Sequence, residues 1–215
     1  REDRQVAVFF ASTSDLSGSL KDEFNAFVSA WGGDITEEYD MADSSFSADA
    51  IADEDADVLM LAARPDTLEE AAEVIEENNG SKPILGGDEI YIRYILEETG
   101  SDAQALTVAV PWHLLSRDTD ADIARTSRDL WKGDVSWRTA TAYDAVIAIA
   151  AGLTGDASRE GLKAALDDNN FSVDSATGPI NFLPSGDRRQ VDRLVQVEAG
   201  TRSGTGSDFV PFTLD

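Results

Sequence analysis

The chain has no cysteine among its 215 residues and a single histidine, His113. Disulfides and thiolate metal sites are therefore excluded. One imidazole is too few for a histidine-based metal centre or a Cys–His pair. A Ser–His–Asp arrangement would have to use His113, and no Gly-x-Ser-x-Gly elbow accompanies it. Neither a Gly-x-x-x-x-Gly-Lys-Ser/Thr phosphate loop nor a Gly-x-Gly-x-x-Gly after the first apolar run is present. Paired carboxylates are too common in this sequence to mark acid–base chemistry. With no catalytic residue, metal ligand set or cofactor motif to point to, the chain reads as non-enzymatic. Long apolar runs are missing too. The best candidate, Ala145 to Leu153, falls well short of the ~20 residues that cross a bilayer.

Positive charge is scarce. Seventeen Lys and Arg stand against 42 Asp and Glu, a net charge of -25, and only four of the bases are lysines. Such a chain is repelled by nucleic acid and by anionic membrane surfaces, so neither is an expected partner. The acid excess reads as a solvated surface whose self-repulsion a salt-rich medium would screen. The opening residues Arg1 to Gln5 are charged and lack the apolar stretch of a signal peptide. A mature or truncated piece is expected.

What is present is a regular alternation. Val6 to Ala11 is a continuous apolar run, as for a strand buried on both faces. A turn at Ser12 to Asp15 leads into a helix reaching about Trp31, with Leu16, Leu20, Phe24, Phe27 and Val28 on one face, and Gly32-Gly33 ends it. Asp34 to Tyr39 alternates like a short strand, and Ser47 to Ala52 suggests a helix. Asp57 to Ala63 is a second buried strand. A helix starts at Pro65-Asp66-Thr67 and stops at Asn78-Asn79-Gly80. A strand at 83–85, a helix from Glu89 to Glu98 and a strand from Leu106 to Val110 complete the first half. Five strands separated by helices predict an α/β fold with a doubly wound, mainly parallel five-stranded sheet. The second half differs. Pro111-Trp112 breaks the pattern. Helices are predicted from Ala121 to Trp131, from Arg138 to Leu153 with an apolar stripe of Ala142, Ala145, Val146 and Ile149, and from Ser158 to Leu166. Gly178 to Leu183 and Arg193 to Val197 read as a β-hairpin turning at Pro184 to Asp187, and 200–208 as irregular. The expected division is therefore 1–110, a Rossmann-like lobe, and 111–215, crossover helices and a closing hairpin.

The most informative stretch is Lys82 to Tyr91, where a short strand runs into Gly86-Gly87 and then Asp88. The glycines clear side chains from a place that a backbone or ligand can approach closely. Asp88 stands at the carboxyl end of a strand, where open α/β sheets bind ligands. A plainer role is the N-cap of the following helix.

Taken in order, these segments resemble the type I periplasmic binding proteins, and within them the branched-chain amino acid receptors. The residues that carry the likeness are Val6 to Ala11 with Leu16 to Leu20 and Phe24, Gly32 to Ile35, Ala56 to Leu59, Pro83 to Asp88, Val110 to Trp112, Ala142 to Ala145 and Thr177 to Asp187. The likeness spans nearly the whole chain as that family's second lobe plus its return segment, with the first lobe of the family missing. The resemblance implies a non-enzymatic receptor in the periplasm or outside the cell. It would bind an amino acid or related amine or carboxylate for ABC-type uptake, with a membrane permease or a sensor as partner. It also implies that Asp88 meets the ligand's ammonium group, with Gly87, Ser12, Thr13, Ser14, Leu16 and Arg64 as the other lining positions. The family's usual aromatics in the loops after the first and third strands are absent here: Leu16 and Ala63-Arg64-Pro65 stand in their places. Arg64 adds a cation, which suits a ligand with an acid group. The alternative is a sensor or interaction domain of the same fold that lacks an amino-acid site.

Overall fold

The structure is a computed structural model describing residues 4–53, 55–116, 121–189 and 192–213. Most of the charged opening lies outside these residues. The chain forms two compact units, Arg1–Val110 with Leu194–Asp215, and Pro111–Arg193.

The first unit is built on a sheet of seven strands in the order β2-β1-β3-β4-β5-β8-β9. Its first five, β1 (Gln5–Phe10), β2 (Asp34–Asp40), β3 (Val58–Ala62), β4 (Ile84–Gly86) and β5 (Leu106–Val110), appear where the apolar runs predicted. The pairings β1–β2, β1–β3, β3–β4 and β4–β5 are all parallel. The strand alternation divides the core. Val6, Val8, Met60 and Ala62 pack with Phe10, Phe24, Val28 and Ile35. Ala7, Phe9, Leu59 and Leu61 point the other way and are fully buried. Crossovers are made by α1 (Asp15–Ala30), α2 (Leu68–Asn78) and α3 (Arg93–Thr99).

Four expectations fail in this unit, one of them, the helix expected from Glu89, at the rim described below. The segment expected to be a helix at 47–52 is a 3-10 turn, Ala48–Asp53. The sheet gains two strands, β8 (Arg193–Ala199) and β9 (Ser207–Pro211), which pair antiparallel. Residues 193–197 thus belong to this sheet, not to a hairpin with 178–183, and the irregular tail shortens to 200–206. The third failure is the face that α1 turns inward. Leu16 and Phe27 are about three-fifths exposed (60% and 61%) and Leu20 is exposed as well, while Ser17, Phe24 and Val28 meet the sheet. Ser17 decides this locally. Its hydroxyl accepts from Ala11 N at 2.8 Å and donates to the Ala62 carbonyl at 2.5 Å, binding the helix start to β1 and β3. Those two bonds rotate the leucine stripe outward, because a buried hydroxyl and N–H without partners would cost more than exposing leucine.

In the second unit, α4 (Ala121–Trp131), α5 (Trp137–Gly152) and α6 (Arg159–Leu166) are accompanied by a small antiparallel pair, β6 (Val173–Ser175) with β7 (Gly178–Ile180). Ser158 caps α6 as expected, its hydroxyl accepting from Gly161 N at 2.9 Å. The turn predicted at 184–187 also forms, with the Leu183 N–H bonding the Asp187 carbonyl at 2.7 Å. Helix α5 is inverted relative to its apolar stripe. Ala140, Asp144, Ala148 and Gly152 are buried, whereas Ala142, Ala145, Val146 and Ile149 are exposed. Small residues let this face come close to α6: a Cβ at Gly152 would lie 2.7 Å from Leu162 Cδ1. Asp144 is drawn inward by charge. Its Oδ2 accepts from Arg188 Nη1 at 2.7 Å and from the Thr177 hydroxyl. His113 is buried, and its Nδ1 accepts from Leu115 N at 3.1 Å.

Candidate functional site

Parallel pairing puts the carboxyl ends of β1, β2, β3 and β4 on one edge of the sheet. The strand order reverses at β1 and β3, so the loops leaving those two strands part and open a crevice. Ser12, Thr13 and Ser14 lie on one side of it, and Ala63 and Arg64 on the other. Thr13 Oγ1 donates to Asp66 Oδ2 across the gap at 3.1 Å. Ser14 caps α1, its hydroxyl accepting from Ser17 N at 3.4 Å. Leu16 is on the first turn of that helix and open to solvent. The Ser12 N–H donates to Asp40 Oδ1 at 3.0 Å, tying the β1 loop to the end of β2.

Behind this edge, Gly86 and Gly87 do different things. A Cβ on Gly86 would lie 2.0 Å from Ile90 Cδ1, so this glycine lets the next turn fold back onto the strand. Gly87 donates its N–H to the Leu61 carbonyl at 3.2 Å, and a Cβ there would come to 3.1 Å from Leu20 Cδ2. Asp88 does not cap a long helix, as one reading of the sequence had it. It opens a 3-10 turn, Asp88–Ile90, whose cap position is Gly87, and the helix proper starts five residues later at Arg93. The side chain of Asp88 is half-buried on the rim.

Arg64 is the one basic residue in the four rim loops. Its backbone is held by Thr67, whose hydroxyl accepts from Arg64 N at 3.0 Å and whose N–H returns to the Arg64 carbonyl. Its guanidinium Nη1 meets Glu89 Oε1 at 2.9 Å, with the two side chains 23% and 21% exposed. Sequence reasoning missed Glu89. It also missed the aromatic pair next to it: Tyr91 lies against Phe209 of β9, ring centroids 4.5 Å apart. Phe209 is more than a hundred residues from the rim loops in sequence, so no local signal marks it. The structure thus brings Ser12, Thr13, Ser14, Arg64, Gly87 and Asp88 to one edge. Leu16 borders it.

Two further observations bound the chemistry. Among the described residues, no group of three His, Cys, Asp or Glu could hold a metal ion. No helix among them is long and apolar enough to cross a membrane. An apolar hollow of about 530 Å³, lined by Val6, Phe24, Val28, Trp31 and Leu85 among others, sits at the opposite, amino end of the strands.

The Asp40 carboxyl at the rim carries a pH dependence. Burial pushes its pKa up, but hydrogen bonds from the Ser12 hydroxyl and N–H and from Ala42 N–H outweigh that and hold it below the ordinary carboxylate value. A lowered folded-state pKa means stability that is present above the unfolded value, near ~4, and lost as pH falls through the folded one. Asp40→Asn should cost about 1 kcal/mol at pH 6, as for a lost charge-assisted hydrogen bond, and progressively less toward pH 3. Urea denaturation of both proteins at the two pH values reads this, and a gap of equal size at pH 3 and pH 6 would contradict it.

No family model and no curated protein matches the sequence. Solved structures do. A leucine binding protein, LivK, from Thermotoga maritima superposes with a TM-score of 0.79 at 20% identity, over 96% of this chain and 59% of that one. LivJ from Streptococcus pneumoniae, the substrate binding protein of a branched-chain amino acid transporter solved with isoleucine, gives 0.74 at 17% identity, over 96% and 60%. A solute binding protein of an ABC transporter from Rhodopseudomonas palustris, solved with 3,4-dihydroxybenzoic acid, gives 0.76 at 17%, over 98% and 60%. The fold is that of the type I periplasmic binding proteins. The chain spans about three-fifths of the length of the binding-protein structures it matches. Within that fold, the rim built by β1, β3 and β4 carries Arg64, Glu89, Asp88 and the Ser12–Ser14 loop.

Proposed function

We propose that this chain is the ligand-facing lobe of a non-enzymatic solute receptor in the periplasm or outside the cell, serving uptake through a membrane permease, or sensing. The observation that carries this reading is that the Arg64–Glu89 contact sets the turn after β3 against the turn after β4 that holds Asp88, while the Thr13–Asp66 bond sets the Ser12–Ser14 loop against the same turn after β3, at the switch point of the sheet. Structures of this fold are solved with isoleucine and with a dihydroxybenzoic acid, both carboxylates, and the first also carries an ammonium group. The ligand class that fits the rim is an amino acid. A half-buried carboxylate such as Asp88 gains most from a cationic partner with several N–H donors, and an α-ammonium has three.

The test is a titration of 15N-labelled protein with L-leucine and L-glutamate, each compared with its analogue lacking the amino group, 4-methylpentanoate and glutarate. An amino acid should shift the amides of Ser12 to Ser14 and Gly87 to Glu89, and its deaminated partner should do so at least tenfold more weakly. Asp88→Asn should weaken the amino acid by about 1.5–3 kcal/mol, the range for a hydrogen bond to a charged group. The fold should be retained, since asparagine keeps the size of aspartate and a side-chain oxygen that accepts hydrogen bonds. Equal affinity in both proteins would remove Asp88 from the site. If neither amino acid moved the rim amides, the alternative of a sensor or interaction domain without an amino-acid site would take its place.

A further inference from the structure

We infer that Arg64 is a specificity-determining residue that selects a ligand with a second acid group, and that Glu89 competes with that group for it. This rests on the proposed ligand site at the β1–β3–β4 rim. Three observations carry it.

First, Arg64 is fixed in place. Thr67 locks its backbone on both sides, and Pro65 follows it directly. Pro65 restricts Arg64 to extended backbone, as observed at φ -128 and ψ 169. A guanidinium on an anchored backbone loses little freedom on binding, and its planar fork matches a carboxylate.

Second, Glu89 already shows what the guanidinium accepts. The pair closes through one nitrogen, Nη1 to Oε1 at 2.9 Å, which leaves the other N–H donors of the fork for a second carboxylate or for exchange with a ligand's. Both side chains are about four-fifths covered. The pair is therefore less screened than the solvent-exposed ion pairs elsewhere on the chain, such as Arg93–Glu97.

Third, the charge balance makes a cation at this place selective. The rim loops hold Asp40, Asp43, Asp66, Asp88 and Glu89 against Arg64 alone, in a chain of net charge -25. A field of that sign rejects an acidic ligand unless a cation meets its acid group directly. An apolar solute gains nothing from Arg64, and burying the guanidinium against a methyl group would cost it solvation. Asp88 and Arg64 come from neighbouring strands and the Ser12–Ser14 loop faces Arg64 across the crevice, so one ligand can present its ammonium to Asp88, a side-chain carboxylate to Arg64 and its α-carboxylate to the serine loop. The ligand class this selects is an amino acid with an acidic side chain.

The probes are L-glutamate and its neutral isostere L-glutamine, followed by the backbone amides of Arg64 and Glu89 and by the Arg64 Nε–Hε resonance. Glutamate should bind at least roughly tenfold more tightly than glutamine and shift the Nε–Hε signal. Arg64→Gln should erase the difference, and Arg64→Lys should keep part of it, since lysine keeps the charge and loses the fork. Glu89→Gln should tighten glutamate about threefold or more by removing its internal competitor. In an Arg64→Gln background that gain should vanish. Glutamate and glutamine binding the rim equally well, or a glutamate preference that survives Arg64→Gln, would overturn this inference while leaving the amino-acid site standing. If neither amino acid shifts any rim amide, both fall together.

Discussion

Replacing Asp144 by leucine should destabilise the protein by about 3–5 kcal/mol, the cost of leaving a buried charge without its counter-ion. The Asp144 side chain is 3% exposed and that of Arg188 19%. Removing the carboxylate would strand the guanidinium on the loop at 181–189 and take the Thr177 hydroxyl's acceptor with it. The pair is costly as well as cohesive. Among the described residues, Asp144 Oδ1 and Arg188 Nε are buried with no hydrogen-bond partner, as are Ser175 Oγ and Asn181 Oδ1 nearby in sequence. An apolar pair in the same volume has no such debt of desolvation. The double change Asp144→Leu with Arg188→Met should therefore recover most of the loss. Urea denaturation of the two single variants and the double variant reads the cycle. A single-variant cost below about 1 kcal/mol, or a double variant no better than the worse single, would show that the ion pair does not hold the loop to α5.

Raising NaCl from about 0.05 M to about 1 M should stabilise the fold by on the order of 2 kcal/mol, a rise of roughly 4–8 °C in Tm for a chain of this size. Two opposing effects decide the sign. Salt weakens surface ion pairs such as Arg93–Glu97, Arg128–Asp134 and Lys163–Asp167, but exposed pairs contribute only about 0–1 kcal/mol each. Against them stands the longer-range repulsion among the 25 negative charges in excess. Screening shortens from ~10 Å at 0.1 M to ~3 Å at 1 M, which removes repulsion acting at those separations. The folded state holds the charges closer together than the unfolded chain does, so it gains more. Thermal denaturation across a NaCl series tests this, and a Tm that is flat or falls with salt would reject it. Repeating the series in KCl separates screening, which is the same for both salts, from a specific ion effect.

Much of the first unit was legible in the sequence because its signals are local. The apolar runs at 6–11 and 57–63 stand for strands buried on both faces, those at 83–85 and 106–110 for shorter strands with Leu85 and Ala109 exposed, and such runs need no partner to be recognised. The glycines at 86 and 87 and the loop residues Ser12, Thr13, Ser14 and Arg64 could be placed at the carboxyl edge once the strands were parallel. Other features were not legible. The partner of Glu89 could not be named, because Arg64 lies 25 residues away and any of several rim carboxylates could have served. The alternative role of Asp88 as a helix cap rested on its place before an apolar helical pattern. The turn it opens ends at Ile90, whose side chain lies over Gly86, and the helix starts only at Arg93.

The sequence by itself determined the order and kind of most elements, the parallel sheet, the acidic surface and the residues at the rim. Each of these follows from composition, short-range periodicity or turn chemistry. Tertiary structure alone decided which face of α1 and of α5 turns inward, where residues 193–199 pair, and that Phe209 stands against Tyr91. In each case a non-local contact overrode a local preference. Ser17 bridging Ala11 and Ala62 outweighed a leucine stripe, and Arg188 drew Asp144 into a face that apolar periodicity had assigned to solvent. The strand at 193–199 had a nearby turn to make a hairpin with. It joined the sheet of the first unit instead, where Val195 and Val197 are buried. Burial of apolar area and satisfaction of buried polar groups are properties of the assembled chain, so no window of sequence can weigh them.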